Sequence, residues 1–203
     1  MRTFSEAQYE ETKHNILKAA LDICASEGFE GLTIEKVARR LGLTKPALYH
    51  YFKNKEALLV ELTLQYLEAG NRDIPRILSE QALPHQERLR KLLEYYIVQG
   101  KEEPGYFYLQ HHINNLLEIL SPSQKKERIR ILSYQIPRTI MEFIQEGIQA
   151  GAFTAMDPMT MGTLILSMLS GVLLHSSMPG IKNMPAEELS RMVSHIILQG
   201  VQP

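Results

Sequence analysis

Residues 33–59 read TIEKVARRLGLTKPALYHYFKNKEALL, and this segment contains two short helical patterns separated by a glycine. Thr33 begins the first pattern, in which apolar residues recur at helical spacing: Ile34, Val37, Ala38 and Leu41. Gly42 is placed to end that helix, as glycines just past a helix C-terminus do. Thr44 can cap the second helix, and Pro46 lies in its first turn, where a missing N–H costs little. The segment therefore predicts a helix, a glycine turn and a second short helix.

The second short helix is predicted to have one buried and one exposed face. It spans only about eight residues, a length that is marginal without tertiary packing. Leu48 and Phe52, four residues apart, supply a face for that packing. The opposite face suits the DNA major groove, where lysine donates to guanine and apolar edges meet thymine methyl groups. The predicted base-contacting residues are Lys45, Pro46, Ala47 and His50.

Phosphate contacts are predicted from hydroxyl groups and helix N-termini around the same segment. Tyr49 and Tyr51 can donate hydroxyl hydrogen bonds to phosphate oxygens. Thr33, Thr44 and Lys55 each stand at a predicted helix start, where free N–H groups and the helix dipole attract phosphate. Together with the base contacts, these residues predict a helix-turn-helix that binds double-stranded DNA.

The charge distribution supports this interpretation. The chain of 203 residues has a net charge of −1, which by itself suggests no polyanionic partner. Between Lys36 and Lys55, however, six basic residues occur without an acid, so the rest of the chain sums to −7. A basic segment in a mildly acidic protein is expected where one part of the molecule meets nucleic acid. A solvated charged face is the alternative that composition leaves open.

Helical periodicity extends over nearly the whole chain, and no run of alternating β-branched residues predicts a strand. Ser5 and Gln8 form a potential capping box at the start of the first helix, which is predicted to end at Gly28. Asn54 is the predicted cap of the fourth helix. The predicted fold class is all-α, with about nine helices. Residues 1–56 are predicted to be the helix-turn-helix domain, and residues 57–203 a helical ligand-binding and dimerisation domain.

Prolines are predicted to mark helix boundaries in the second domain. These are Pro75, Pro84, Pro104, Pro122, Pro158 and Pro185. The interval from Pro104 to Leu120 is predicted to be a single helix. Pro137 instead falls inside the predicted helix 123–151, where it is expected to kink the helix or to lie beside an opening.

The helix predicted over residues 158–176 is apolar almost all round, which indicates burial on more than one side. Ser167, Ser170 and Gly171 are small enough to let a partner chain approach closely. The last helix offers a second apolar stripe: Leu189, Met192, Val193, Ile196 and Ile197. A homodimer built on these two helices is predicted, with a thick monomeric core as the alternative.

The segment 33–59 resembles the DNA-binding signature of the TetR family of bacterial transcriptional regulators. The residues that carry the resemblance are Thr33, Val37, Ala38, Gly42, Leu43, Thr44, Tyr49, Phe52, Lys55, Glu56 and Leu58. The strong likeness covers about residues 12–60, and the rest of the chain resembles the family in its helix layout. The resemblance implies a homodimer that reads a pseudopalindromic operator. It also implies a C-terminal domain that binds a small-molecule effector, whose binding weakens the hold on DNA.

Rings, amides and methionines in the second domain predict an adaptable, largely apolar effector site. The candidate ligand-binding residues are Tyr108, His112, Tyr134, Met141, Met168 and His175. No cluster of residues has the spacing of metal ligands, and neither a metal nor another cofactor is expected. Control of the second domain by a protein partner, rather than by a small molecule, is the alternative.

The sequence argues against an enzyme. It contains no glycine-rich nucleotide loop, no nucleophile elbow and no His-Glu-x-x-His motif. Cys24, the single cysteine, lies on the apolar stripe of the first helix, which favours a core position over a nucleophilic role. The first fourteen residues contain no apolar segment of a secretory signal, and no apolar run reaches the length of a membrane span. A cytoplasmic protein without membrane contact is expected.

Overall fold

The computed structural model describes residues 5–176 and 178–202, and within them every regular element is an α-helix. The predicted all-α class is confirmed. The described residues form ten helices rather than about nine: α1 Glu6–Gly31, α2 Ile34–Arg40, α3 Lys45–Tyr51, α4 Lys55–Leu78, α5 His85–Glu102, α6 Pro104–His111, α7 Ile113–Ile119, α8 Gln124–Gln149, α9 Pro158–Leu174 and α10 Ala186–Val201.

The prediction of one helix from Pro104 to Leu120 is wrong. The helix is interrupted at His112 (φ −109°, ψ 15°), which separates α6 from α7. Beside this break two rings contact Phe29 of α1: the Tyr108 and His112 ring centroids lie 5.1 Å and 6.3 Å from that of Phe29. A contact between residues so distant in sequence leaves no trace in the local periodicity.

The chain forms two compact units. Unit 1 comprises Met1–Leu67 and Pro104–Arg130, and in it α1 packs against α2 and α6. Unit 2 comprises Glu68–Glu103 and Ile131–Pro203, and in it α5 packs against α9 and α10. The predicted functional boundary between residues 56 and 57 stays a prediction.

The start of α1 confirms the predicted capping box. Ser5 Oγ accepts a hydrogen bond from the Gln8 backbone N–H, and Gln8 Oε1 accepts one from the Ser5 N–H. The backbone leaves the helical conformation at Gly28 (φ 74°), where the end of the helix is predicted, and then forms a short further turn to Gly31. This left-handed conformation favours glycine. The neighbouring Phe29 N–H donates to the hydroxyl of Tyr108 at 3.1 Å.

Among the described residues, Pro75 and Pro137 lie inside helices beyond the first turn. The boundary predicted at Pro75 is wrong, because α4 continues through it to Leu78. The buried Arg88 side chain donates to the Leu78 carbonyl at 2.8 Å, which supplies a partner for the last turn of α4. Pro137 lies within α8, as predicted. None of the helices in the described residues is both long and apolar enough to cross a bilayer.

Candidate nucleic-acid interface

The α2–α3 segment is closed by side-chain caps and a glycine turn. Thr33 Oγ1 accepts from the Lys36 N–H at 3.1 Å, and Thr44 Oγ1 accepts from the Ala47 N–H at 3.3 Å. Gly42 has a φ of 65°, and after it the Leu43 N–H donates to the Ala38 carbonyl at 2.9 Å. These contacts confirm the predicted caps and turn, and they hold the start of α3 in place.

Helix α3 has one anchored face and one exposed face. Leu48 is fully buried and Phe52 is almost fully buried, so the predicted packing face is confirmed. The exposed side chains are Thr44, Lys45, Pro46, Tyr49 and His50, whereas Thr33, Ala47, Tyr51 and Lys55 are half-buried. The seven-residue helix is anchored by Leu48 within it and by Phe52 at its C-cap, and it exposes a lysine, a proline and a tyrosine, so it presents a formed surface to a partner.

An aromatic cluster joins the end of α3 to the start of α1. The Tyr51 ring stacks on the Tyr9 ring with centroids 4.7 Å apart. His50 meets both rings edge-on, at 6.3 Å from Tyr9 and 5.7 Å from Tyr51. Sequence reasoning missed Tyr9, because nothing in the local pattern of α1 relates it to α3. Its position one turn into α1, on an otherwise polar stretch, was the available signal.

Three of the six basic side chains in the segment from Lys36 to Lys55 form ion pairs with acidic side chains. Lys36 pairs with Glu27, Arg40 pairs with Asp22 at 2.9 Å, and Lys45 pairs with Glu35. These acids lie outside the window that made the segment look strongly basic. Within the part of the chain that the structure describes, Arg39, Lys53 and Lys55 take part in no ion pair. The unpaired positive charge of this segment is therefore carried by these three residues.

The Lys45–Glu35 pair joins the exposed face of α3 to the first turn of α2. The hydrogen bond from Lys45 lowers the pKa of the Glu35 carboxyl and raises the pKa of the Lys45 ammonium. Both groups are therefore charged at neutral pH. The Lys45 ammonium also lies over the Tyr49 ring, 5.8 Å from its centroid, where the negative face of the ring attracts a cation.

The start of α4 follows α3 after three residues, Phe52, Lys53 and Asn54. Asn54 Oδ1 accepts from the Ala57 N–H at 2.8 Å, so the predicted cap is confirmed. Lys55 is the first residue of α4, a position beside free N–H groups that suits a phosphate.

The single cysteine, Cys24, is fully buried, and burial raises the pKa of its thiol to about 12. A protonated, inaccessible thiol is a poor nucleophile.

The predicted effector residues fall in different units, and each has its own surroundings. In unit 1 the Tyr108 and His112 rings contact each other, with centroids 4.3 Å apart. In unit 2 Met141 packs beside Gly162, and His175 Nδ1 lies 2.8 Å from the Gly171 carbonyl oxygen. Tyr134 is 65% exposed, and Met168 is also largely exposed. The assignment of these residues to an effector site stays a prediction.

The α9–α10 surface exposes many large apolar side chains. Helix α9 buries Met161, Ile165 and Leu169 within unit 2. The exposed apolar residues of the two helices are Met159, Leu164, Met168, Leu174, Met192 and Ile196. A shallow apolar groove of about 100 Å³ runs between the helices, lined in part by Met168 and Ile196. The residues at Ser170 and Gly171 are half-buried, and Ser167 is exposed.

An all-α chain in which a capped helix-turn-helix presents an exposed recognition helix belongs to the class of helix-turn-helix DNA-binding regulators. Residues 16–62 match the bacterial regulatory proteins of the tetR family. Residues 82–201 match the tetracyclin repressor-like C-terminal domain. The chain therefore belongs to the TetR family, and it is a DNA-binding transcriptional regulator.

The curated relatives match different shares of the chain. The chain is 44% identical over 64 residues to the tetracycline repressor protein class A from transposon 1721 of Escherichia coli, a match that covers 31% of this chain and 30% of that repressor. It is 28% identical over 149 residues to the transcriptional repressor NicS of Pseudomonas putida, covering 72% and 68% of the two chains. The ketosteroid transcriptional regulator KstR2 of Mycobacterium tuberculosis has the same fold, with a TM-score of 0.79 and 21% identity over 95% of each chain.

Proposed function

We propose that this regulator is a homodimeric repressor that binds a pseudopalindromic operator and is released by a small, largely apolar effector. The observation that carries the proposal is the surface of α3. Two buried side chains, Leu48 and Phe52, anchor the helix, and Lys45, Pro46, Tyr49 and His50 remain exposed on it. Base contacts are assigned to Lys45, Pro46, Ala47 and His50, and phosphate contacts to Thr33, Thr44, Tyr49, Tyr51 and Lys55.

Dimerisation is assigned to the α9–α10 surface. An exposed apolar patch of this kind marks a protein interface more often than a free surface, and a second copy of the chain offers a matching patch. The two copies of α3 would then read half-sites about one helical turn apart on the DNA. Sedimentation at micromolar concentration tests this assignment, and a monomer would contradict it.

The effector is assigned to the second family domain, with Tyr108, His112, Tyr134, Met141, Met168 and His175 as candidate contacts. Methionine side chains and rings suit an apolar ligand of variable shape. NicS is a repressor and KstR2 a ketosteroid regulator, which supports repression as the mode of action and steroids as one class to screen. No cofactor is needed for this function, and a cytoplasmic location fits it.

The operator is identified by selection of binding sites from random duplexes at a stated salt concentration, because affinity for DNA depends steeply on salt. A palindromic consensus with two half-sites is the expected result. Absence of any enriched sequence would contradict the proposal.

The effector is identified in a second experiment. Hydrophobic compounds are added to the operator complex, and release of DNA by one class identifies the effector. If no compound acts and a cellular protein releases the DNA, control by a protein partner replaces this part of the proposal.

A further inference from the structure

The Lys45–Glu35 ion pair lies on the surface that α3 offers to DNA. Both side chains are about half exposed, at 50% and 51%. Exposed ion pairs add little to the stability of a fold, so stability is a weak reason for this contact. Its place matters more, because Lys45 is a proposed base-contacting residue and Glu35 is the only acid in the segment from Leu32 to Lys55.

The pair restricts what the Lys45 ammonium can do. An ammonium group has three hydrogen-bond donors and no acceptor. Glu35 takes up one donor, and the Tyr49 ring lies on another side of the group at 5.8 Å. Lys45 is therefore held over α3 rather than extended toward the surroundings. It keeps donors for a base edge, but its charge is already neutralised by a neighbour.

We propose that Glu35 determines specificity by holding Lys45 away from the phosphates of arbitrary DNA. The inference rests on the proposed role of Lys45 at the operator. On non-specific DNA, the Glu35 carboxylate repels the phosphate that Lys45 would contact, so this contact is favourable only when the ammonium moves away from Glu35. On the operator, Lys45 donates to a base edge while it stays paired with Glu35, so the pair costs the specific complex less.

The two other pairs in this region differ in placement. Lys36–Glu27 and Arg40–Asp22 join α2 to α1, and none of these four residues belongs to α3. They lower the positive charge of unit 1 without touching the residues proposed to read bases. Glu35 is thus the acid whose removal changes the behaviour of α3 itself.

The test compares Glu35→Gln with the wild-type protein on a selected operator duplex and on a scrambled duplex of the same length and composition. Dissociation constants are measured by fluorescence anisotropy at several salt concentrations. We expect Glu35→Gln to bind the scrambled duplex roughly three- to tenfold more tightly, with a salt slope steeper by about 0.9, the value of one added phosphate contact. We expect less than a twofold gain on the operator, so the specificity ratio falls.

Glu30→Gln is the matched control. Glu30 is exposed in α1 and takes part in no ion pair within the described residues, so the substitution makes the same change in net charge without releasing a lysine. It should leave both affinities nearly unchanged. An equal gain in Glu30→Gln would show that bulk charge alone acts, and the proposal would be overturned.

Lys45→Met provides the second test, because the gain from Glu35→Gln should vanish when Lys45 is absent. A gain that persists in the double variant would overturn the proposal. So would a loss confined to the operator, which would mean that Glu35 itself accepts a hydrogen bond from a base.

The wild-type protein separates this inference from the proposed function. If it does not discriminate between the two duplexes, the proposed base reading by α3 is wrong as well. Discrimination by the wild type with an unchanged ratio in Glu35→Gln would overturn only this inference. Thermal unfolding of each variant verifies that the fold is retained.

Discussion

The α2–α3 segment and the α9–α10 surface both leave apolar side chains exposed, yet their surroundings differ. On α3 a proline and aromatic side chains are exposed together with Lys45. The basic residues Lys53 and Lys55, which form no ion pair in the described part of the chain, follow the helix. Helix α9 contains no charged residue, and its large exposed side chains are those of leucine and methionine. Apolar groups among positive charges suit the grooves and phosphates of DNA, whereas an uncharged apolar patch suits another protein surface. The charge around an exposed apolar group therefore separates the two kinds of interface.

The largest effect is expected from loss of the anchor under α3. Leu48 is fully buried, so Leu48→Ala should leave a cavity and lower the free energy of unfolding by about 2–5 kcal/mol. Operator binding should fall with it, because α3 is too short to stay helical without its packing face. Urea unfolding and anisotropy measure the two effects. Ile119→Ala, at a 55% exposed position of unit 1, is the control and should change stability by less than about 0.5 kcal/mol.

The next effect concerns the α9–α10 surface. Ile196 is 64% exposed in the single chain, and Ile196→Asp would place a charge in the proposed dimer interface. The dimer dissociation constant should rise roughly 100-fold, as for a central interface residue, and sedimentation measures it. Ile119→Asp introduces the same charge at an exposed isoleucine of α7 and should leave the dimer intact. Equal effects of the two substitutions would contradict the assignment of the interface.

A smaller effect is expected from the phosphate contacts around α3. Lys55→Ala should weaken binding to every DNA sequence and reduce the salt slope by about one. Lys182→Ala removes the same charge from an exposed position in unit 2 and should leave the slope unchanged. Weaker binding to the operator alone would instead assign Lys55 to sequence recognition.

The smallest expected effect tests the aromatic cluster. Tyr9→Ala removes the ring that stacks on Tyr51, and a pair of this kind contributes about 0.5–1.5 kcal/mol. Operator affinity should fall by a few-fold, because Tyr51 and His50 lose a neighbour that holds them. Tyr9→Phe keeps the ring and should restore affinity to the wild-type value. If both variants weaken binding alike, the Tyr9 hydroxyl rather than the stack is what matters.

Much of the α2–α3 segment could be predicted because its signals are local. The caps at Thr33, Thr44 and Asn54, and the left-handed turn at Gly42, each depend on residues within a few positions of one another. The burial of Leu48 and Phe52 follows from helical spacing in the same way. By contrast, the predicted boundary at Pro75 and the predicted single helix from Pro104 to Leu120 are wrong. Both regions contact residues that are distant in sequence: Arg88 donates to the last turn of α4, and Phe29 contacts the rings of Tyr108 and His112.

The sequence by itself determined the all-α class, the helix-turn-helix and the two faces of α3, since backbone capping and side-chain periodicity act over one or two helical turns. Only the tertiary structure decided which charges remain available to DNA. Asp22 and Glu27 lie on α1, and the basic side chains with which they pair lie on α2. Glu35 pairs with Lys45 across the glycine turn. Coulomb attraction depends on distance in space, so a window of sequence counts six positive charges where the folded protein leaves three unpaired.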